Sequence, residues 1–212
     1  MLSDLDPARK IPNYHGQRHR IGFYASTKVG AHLPYESGLE RLRLQFLDFD
    51  RGVTTYLTQP FTLEWQAAGK TYHYTPDLLV IRTDGSRVVE DVKPARFHHT
   101  ARNARAFEAA REAMSSIGVA FELWAPPAPT VVRNVQYLAG YRRMPAGLRE
   151  YMRPVLAALR EGPHTLDVLS RVAGTPALAL PVIYHLIWHH RIGLDLTQPL
   201  HLSTRLNWQA AR

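Results

Sequence analysis

A mixed α/β sheet with helices packed on it, followed by a smaller and mainly helical region, is the fold class that three observations predict. A segment with helical apolar spacing around Leu39 and Phe46 is followed by short β-branched and aromatic runs joined by turn signals. A second helix-then-strand pair, Ala101 to Ile117 and Val119 to Trp124, follows those runs, which makes a mixed α/β core. The stiff run Ala125-Pro126-Pro127-Ala128-Pro129 then punctuates the chain, and helical periodicity dominates after it.

The elements follow in order. Residues 1–34 read as a basic N-terminal arm, in which Arg9, Lys10, Arg18, Arg20 and Lys28 outnumber Asp4 and Asp6, with Tyr14, Phe23 and Tyr24 interleaved. Such an arm suits either a phosphate backbone or a packing role as a lid. Leu39, Leu42, Phe46 and Leu47 share one helical face, Ser37 is the expected cap, Glu40 its capping-box partner, and Gly52 the stop. Strands are expected at Val53–Leu57, Phe61–Gln66, Thr71–Tyr74, Leu78–Arg82 and Arg87–Val92, the last two joined by the hairpin turn Asp84-Gly85. Residues 35–140 are expected to form this first domain, with a boundary near 141–147. Within residues 148–212, helices at Leu148–Arg160, Thr165–Ala173 and Ala177–His189, then a ribbon from Ile192–Leu196 and Leu200–Leu206, resemble a small winged-helix-like C-terminal domain.

Composition narrows the chemistry. The absence of cysteine excludes disulfides, thiolate catalysis and cysteine-ligated zinc. A net charge of +8 points to a polyanionic partner such as nucleic acid. The early acids of the N-terminus do not make a secretory leader, and no apolar run approaches the ~18 residues needed to span a bilayer. A cytoplasmic location and no membrane partner are the expectations.

The chemistry-bearing string is Tyr74-Thr75-Pro76-Asp77, then Val88-Val89-Glu90-Asp91-Val92-Lys93. Asp77 opens one strand, and Asp91 and Lys93 lie near the end of the strand that returns to it. Their spacing of two puts both side chains on one face. Two carboxylates brought together repel unless a cation lies between them, and oxygen-only ligands suit Mg²⁺ or Mn²⁺. Lys93 would supply positive charge to a phosphoryl transition state, and Glu40 would complete the metal shell or hold a water. Taken singly, each residue has a plainer reading: Asp77 as a turn aspartate, Asp91 and Lys93 as charges on a strand edge, Glu36 and Glu40 as solvated helix residues. His98-His99 reads as a helix start. His185 and His189 have zinc-pair spacing, but Leu186 stands where a glutamate is needed and no third ligand is evident.

As an ordered set the residues resemble a known family. Pro76-Asp77 with Asp91-Val92-Lys93 is the PD-(D/E)xK pattern of restriction-endonuclease-like nucleases. Adding Glu36-Ser37-Gly38-Leu39-Glu40, Leu47-Asp48-Phe49-Asp50, Gln59-Pro60-Phe61 and Val92-Lys93-Pro94, residues 20–125 resemble TnsA, the endonuclease subunit of heteromeric bacterial transposases. The resemblance implies a restriction-endonuclease-like mixed sheet flanked by helices. It implies catalytic and metal roles for Glu40, Asp77 and Asp91, with Lys93 as the catalytic cation. Glu36 matches a further family glutamate, and Gln59 is an additional candidate. Between the adjacent acids Glu90 and Asp91, the strand period favours Asp91. Arg18, Arg20, Lys28 and Arg96 are candidates for DNA contact. The implied activity is Mg²⁺- or Mn²⁺-dependent cleavage of double-stranded DNA at the 5′ ends of a cut-and-paste transposon. The implied partners are an integrase-type transposase subunit and an ATPase regulator. A stand-alone restriction or repair nuclease, and a non-catalytic winged-helix DNA-binding protein, are the alternatives.

Overall fold

The computed structural model describes residues 21–67, 69–95, 101–172 and 174–210. Arg18, Arg20, Arg96 and His98-His99 lie outside them. The chain divides into two compact units, Met1–Pro126 and Pro127–Arg212.

In the first unit, β1 (Gly22–Ala25) and β2 (His32–Tyr35) form an antiparallel hairpin, followed by α1 (Gly38–Phe49) and β3 (Val53–Thr58). A second hairpin, β4 (Leu63–Ala67) and β5 (Lys70–Tyr74), precedes β6 (Leu78–Arg82), β7 (Arg87–Val92), α2 (Ala101–Ser116) and β8 (Ala120–Trp124). The main sheet has the order β3-β6-β7-β8. Its first two pairings are antiparallel and β7–β8 is parallel, because a helix connects those strands and returns the chain to the same end. The turn at Asp84-Gly85 is closed by Gly85 at φ 84°, and the Asp84 side chain accepts from Ser86 N at 2.8 Å.

Strand alternation gives the sheet two apolar faces. Leu78, Val80 and Val92 pack with Leu44 and Leu47 of α1, whereas Val89 and Phe121 pack with Phe107, Ala110 and Met114 of α2. Each of these side chains except that of Ala110, nearly or wholly removed from water, contributes on the order of 1.5–3 kcal/mol. This is the mixed, helix-flanked sheet that the sequence predicts.

The second half of the expected arm is corrected. Tyr24 and Leu33 alternate inward into the α1 core, and the hairpin is pinned by the buried carboxylate of Asp48. Asp48 accepts from Tyr24 OH at 2.9 Å, Ser26 Oγ at 2.6 Å, Thr27 N at 2.9 Å and Tyr56 OH at 2.7 Å. A buried carboxylate demands such donors, and the hairpin supplies three of the four.

The second unit contains α3 (Pro129–Leu138), α4 (Met152–Glu161), β9 (His164–Thr165), α5 (Leu166–Val172), α6 (Pro176–Trp188), β10 (Ile192–Gly193) and β11 (Arg205–Trp208), with strand order β10-β11-β9. The division falls at Pro126–Pro127, ahead of the expected 141–147. The reason is visible at α3. Asn134 donates to the carbonyls of Leu196 at 2.8 Å and Gln198 at 2.7 Å and accepts from Leu200 N at 3.3 Å, which ties α3 to the later chain. The last strand starts at Arg205 rather than Leu200, since Asn134 and a local turn engage residues 196–204. His185 Nδ1 lies 2.8 Å from Tyr141 O, and His189 Nε2 lies 3.0 Å from Arg142 O, so each ring spends one nitrogen on the backbone. No single helix among the described residues is long and apolar enough to cross a membrane.

Candidate active site

The antiparallel register of β6 and β7 pairs Leu78 with Glu90, so one step further along the ladder Asp77 stands across from Asp91. Pairing stops there, and side chains take over the free backbone groups. Val92 N donates to Asp77 Oδ2 at 2.7 Å, Asp77 N donates to Asp91 Oδ1 at 3.3 Å, and the Lys93 ammonium stands 3.5 Å from Asp77 Oδ2. Lys93 N in turn donates to Trp124 O at 3.0 Å, which fixes the residue just past the end of β7.

Glu40 arrives from α1. Ser37 caps the helix by accepting from Glu40 N at 3.1 Å, as the sequence predicts. The Glu40 carboxylate folds back, taking Ser37 Oγ at 2.8 Å and Glu36 N at 2.7 Å. Glu36 Oε1 accepts from Gln59 Nε2 at 2.7 Å, and Gln59 N donates to Asp77 O at 3.0 Å. A continuous hydrogen-bonded path therefore runs from Glu40 through Glu36 and Gln59 to Asp77, Asp91 and Lys93.

Electrostatics mark the same residues as one group. Burial pushes the Asp91 carboxyl up to about 6, the charge of Asp77 adds to this, and Lys93 opposes it. Burial likewise raises Asp77, against the pull of Lys93 and the Val92 N–H. Burial raises Glu40, with Asp77 and Glu36 adding repulsion. At Lys93 burial works against the charge, but Asp77, Asp91 and Glu40 outweigh it and the pKa rises.

Glu90 resolves the choice between the adjacent acids. It points to the other face, where Arg43 of α1 grips it through Nε at 2.8 Å and Nη2 at 2.7 Å. This leaves Asp91 beside Asp77 and Lys93. Lys28 is half-buried, and its ammonium donates to the carbonyl of Asp50, with burial lowering its pKa against the charges of Asp50 and Asp48.

Among the described residues, no three His, Cys, Asp or Glu side chains stand together as a metal site. Strand alternation and the helix cap explain this. Asp91 shares its face with Val89 on the α2 side, Glu40 comes from α1 on the other, and its oxygens are turned to its own cap. Asp77 and Lys93, at the strand end, sense both. The donor chemistry nevertheless fits a hard cation. The set is all oxygen, its two nearest carboxylates repel one another, and the buried Oε1 of Gln59 has no hydrogen-bond partner among the described residues. Two features escaped the sequence reading. One is the Arg43–Glu90 pair, whose partners are 47 residues apart. The other is Tyr74, whose hydroxyl is sealed from solvent beside Asp91 without a hydrogen bond to a described residue, its pKa raised by burial and then by Asp91. A polar tip ending a strand next to Pro76-Asp77 was the available signal for the latter.

The mixed, helix-flanked sheet is consistent with a PD-(D/E)xK-like fold. Residues 50–125 match the family described as TnsA-like endonuclease N terminal, and the chain carries a domain of that family. Gln59, Asp77, Asp91 and Lys93 fall inside the matched span, and Glu36 and Glu40 precede it. No curated protein matches the chain. The domain supports a transposase-associated endonuclease role in general terms.

Proposed function

We propose that this chain is the DNA endonuclease subunit of a heteromeric cut-and-paste transposase, hydrolysing phosphodiester bonds of the non-transferred strands at the 5′ ends of the element. The observation that carries the reading is the meeting of Asp77, Asp91 and Lys93 in one partly buried, mutually perturbed group within the matched domain. Asp77, Asp91 and Glu40 are the residues that would hold Mg²⁺ or Mn²⁺, and such an ion supplies Lewis acidity toward a phosphoryl oxygen. Lys93, steered by Asp77, places a positive charge where the phosphoryl group becomes more anionic. Glu40 holds or orients the attacking water once its side chain leaves the cap. The raised pKa values of Asp77 and Asp91 fit carboxylates whose charge is completed by a cation.

Double-stranded DNA at the transposon ends is the substrate, with Arg18, Arg20, Lys28 and Arg96 as candidate phosphate contacts. An integrase-type transposase and an ATPase regulator are the partners. Residues 148–212 act as a winged-helix-like module that docks protein and DNA. The test is a strand-resolved cleavage assay on an element end with all partners present. Asp77→Ala and Lys93→Ala should abolish nicking of the non-transferred strand while the variants remain folded. Cleavage by both at the level of the unaltered chain refutes the assignment. Defined cutting of transposon-free DNA by the chain alone would favour a stand-alone nuclease instead.

A further inference from the structure

Gln59 carries three features that a linker between strands does not need. Its backbone is left-handed, at φ 46°, one of two such non-glycine residues among those described. A residue with a side chain adopts that region only at a cost, and such residues concentrate at functional sites. Its side chain is 92% buried. Its amide is asymmetrically used: Nε2 donates to Glu36 Oε1 at 2.7 Å, while Oε1 is sealed from solvent with no partner among the described residues. The amide orientation is fixed by chemistry, since turning it over would set two acceptor oxygens against each other. The backbone N–H meanwhile donates to Asp77 O at 3.0 Å.

We propose that Gln59 is a positioning residue that couples the two halves of the acidic group. Its main chain holds Asp77, and its amide nitrogen holds Glu36 next to Glu40. The strained turn at 59 is what lets one residue reach both. This rests on the cation-dependent reading above. Gln59 acts through Glu36 and Asp77 rather than on the scissile bond.

The test uses the full-length chain and Mn²⁺ alone, followed by loss of the free-ion paramagnetic resonance signal, with thermal melting in parallel. Gln59→Met keeps the volume and removes both polar atoms. Gln59→Gly accepts the left-handed backbone without strain and guards against a folding failure of the first variant. Each should weaken Mn²⁺ binding about tenfold, the scale for removing a residue that orients ligands. Glu36→Gln should weaken it similarly, and the Gln59→Met/Glu36→Gln double variant should lose no more than the larger single effect, since the two form one relay. A lower melting temperature with unchanged Mn²⁺ affinity, or additive losses in the double variant, overturns the proposal. Asp77→Asn separates the two levels of inference. If the unaltered chain binds Mn²⁺ no better than Asp77→Asn, the cation reading falls and this one with it. If Asp77→Asn abolishes binding and both Gln59 variants retain it within twofold, only the role of Gln59 is lost.

Discussion

Asp91→Asn should make the ion-free protein more stable. Asp91 is 97% buried, and its carboxyl is pushed up from 3.8 to about 6 by burial, by Asp77, and against the opposing charge of Lys93, with the Tyr74 hydroxyl also facing it. A folded state that holds its proton more tightly than the unfolded chain is favoured fully below pH 3.8 and loses that advantage as pH rises through about 6. At pH 8 the ionised group therefore weighs against folding, by about 1–3 kcal/mol once the coupling to Asp77 is shared between the two. Asparagine keeps the Oδ1 acceptor that Asp77 N uses and removes the charge. In chelator-treated buffer at pH 8 the variant should melt about 5–10 °C above the unaltered chain, with the gap closing near pH 4. Adding Mg²⁺ should raise the melting temperature of the unaltered chain and leave Asp91→Asn unmoved. Equal or lower melting of the variant at pH 8, or the same Mg²⁺ response in both, would refute the reasoning.

Arg43→Met should cost about 3–5 kcal/mol by stranding the buried Glu90 charge, and Glu90→Gln in the same chain should restore most of it, as urea unfolding would report. An unchanged midpoint for Arg43→Met would show the pair to be dispensable. Tyr56→Phe removes one charge-assisted bond to Asp48 and should cost about 1.5–3 kcal/mol by the same assay. Lys93→Met should lower strand cleavage at least about a hundredfold; retention of cleavage would remove the lysine from the chemistry. A chain truncated after residue 126 should melt cooperatively on its own, given its separate core, and should lose association with the transposase or ATPase. Intact complex formation by the truncated chain would count against docking by the second unit.

Strands β3 to β8, the two sheet helices and the meeting of Asp77, Asp91 and Lys93 at one strand end were legible because their signals are local: β-branched runs, an Asp-Gly turn, and a period of two on β7. Ser37 and Glu40 were legible as a cap for the same reason, and the structure shows that the cap competes with any catalytic use of Glu40. What was not legible is long-range. The docking of β1 and β2 depends on Asp48, more than 20 residues away, satisfying a buried charge. The inclusion of α3 in the second unit depends on Asn134 reaching Leu196. Neither contact leaves a periodic trace in the chain, and the arm and the boundary were misplaced accordingly.

Asp77 is clasped by main-chain amides: the N–H of Gln59 on its carbonyl and the N–H of Val92 on its carboxylate. Amides are common to nineteen of the twenty amino acids, so drift in the neighbouring side chains leaves the grip intact. Only proline would delete it outright, and substitutions can therefore reshape the surroundings of this aspartate without dislodging it.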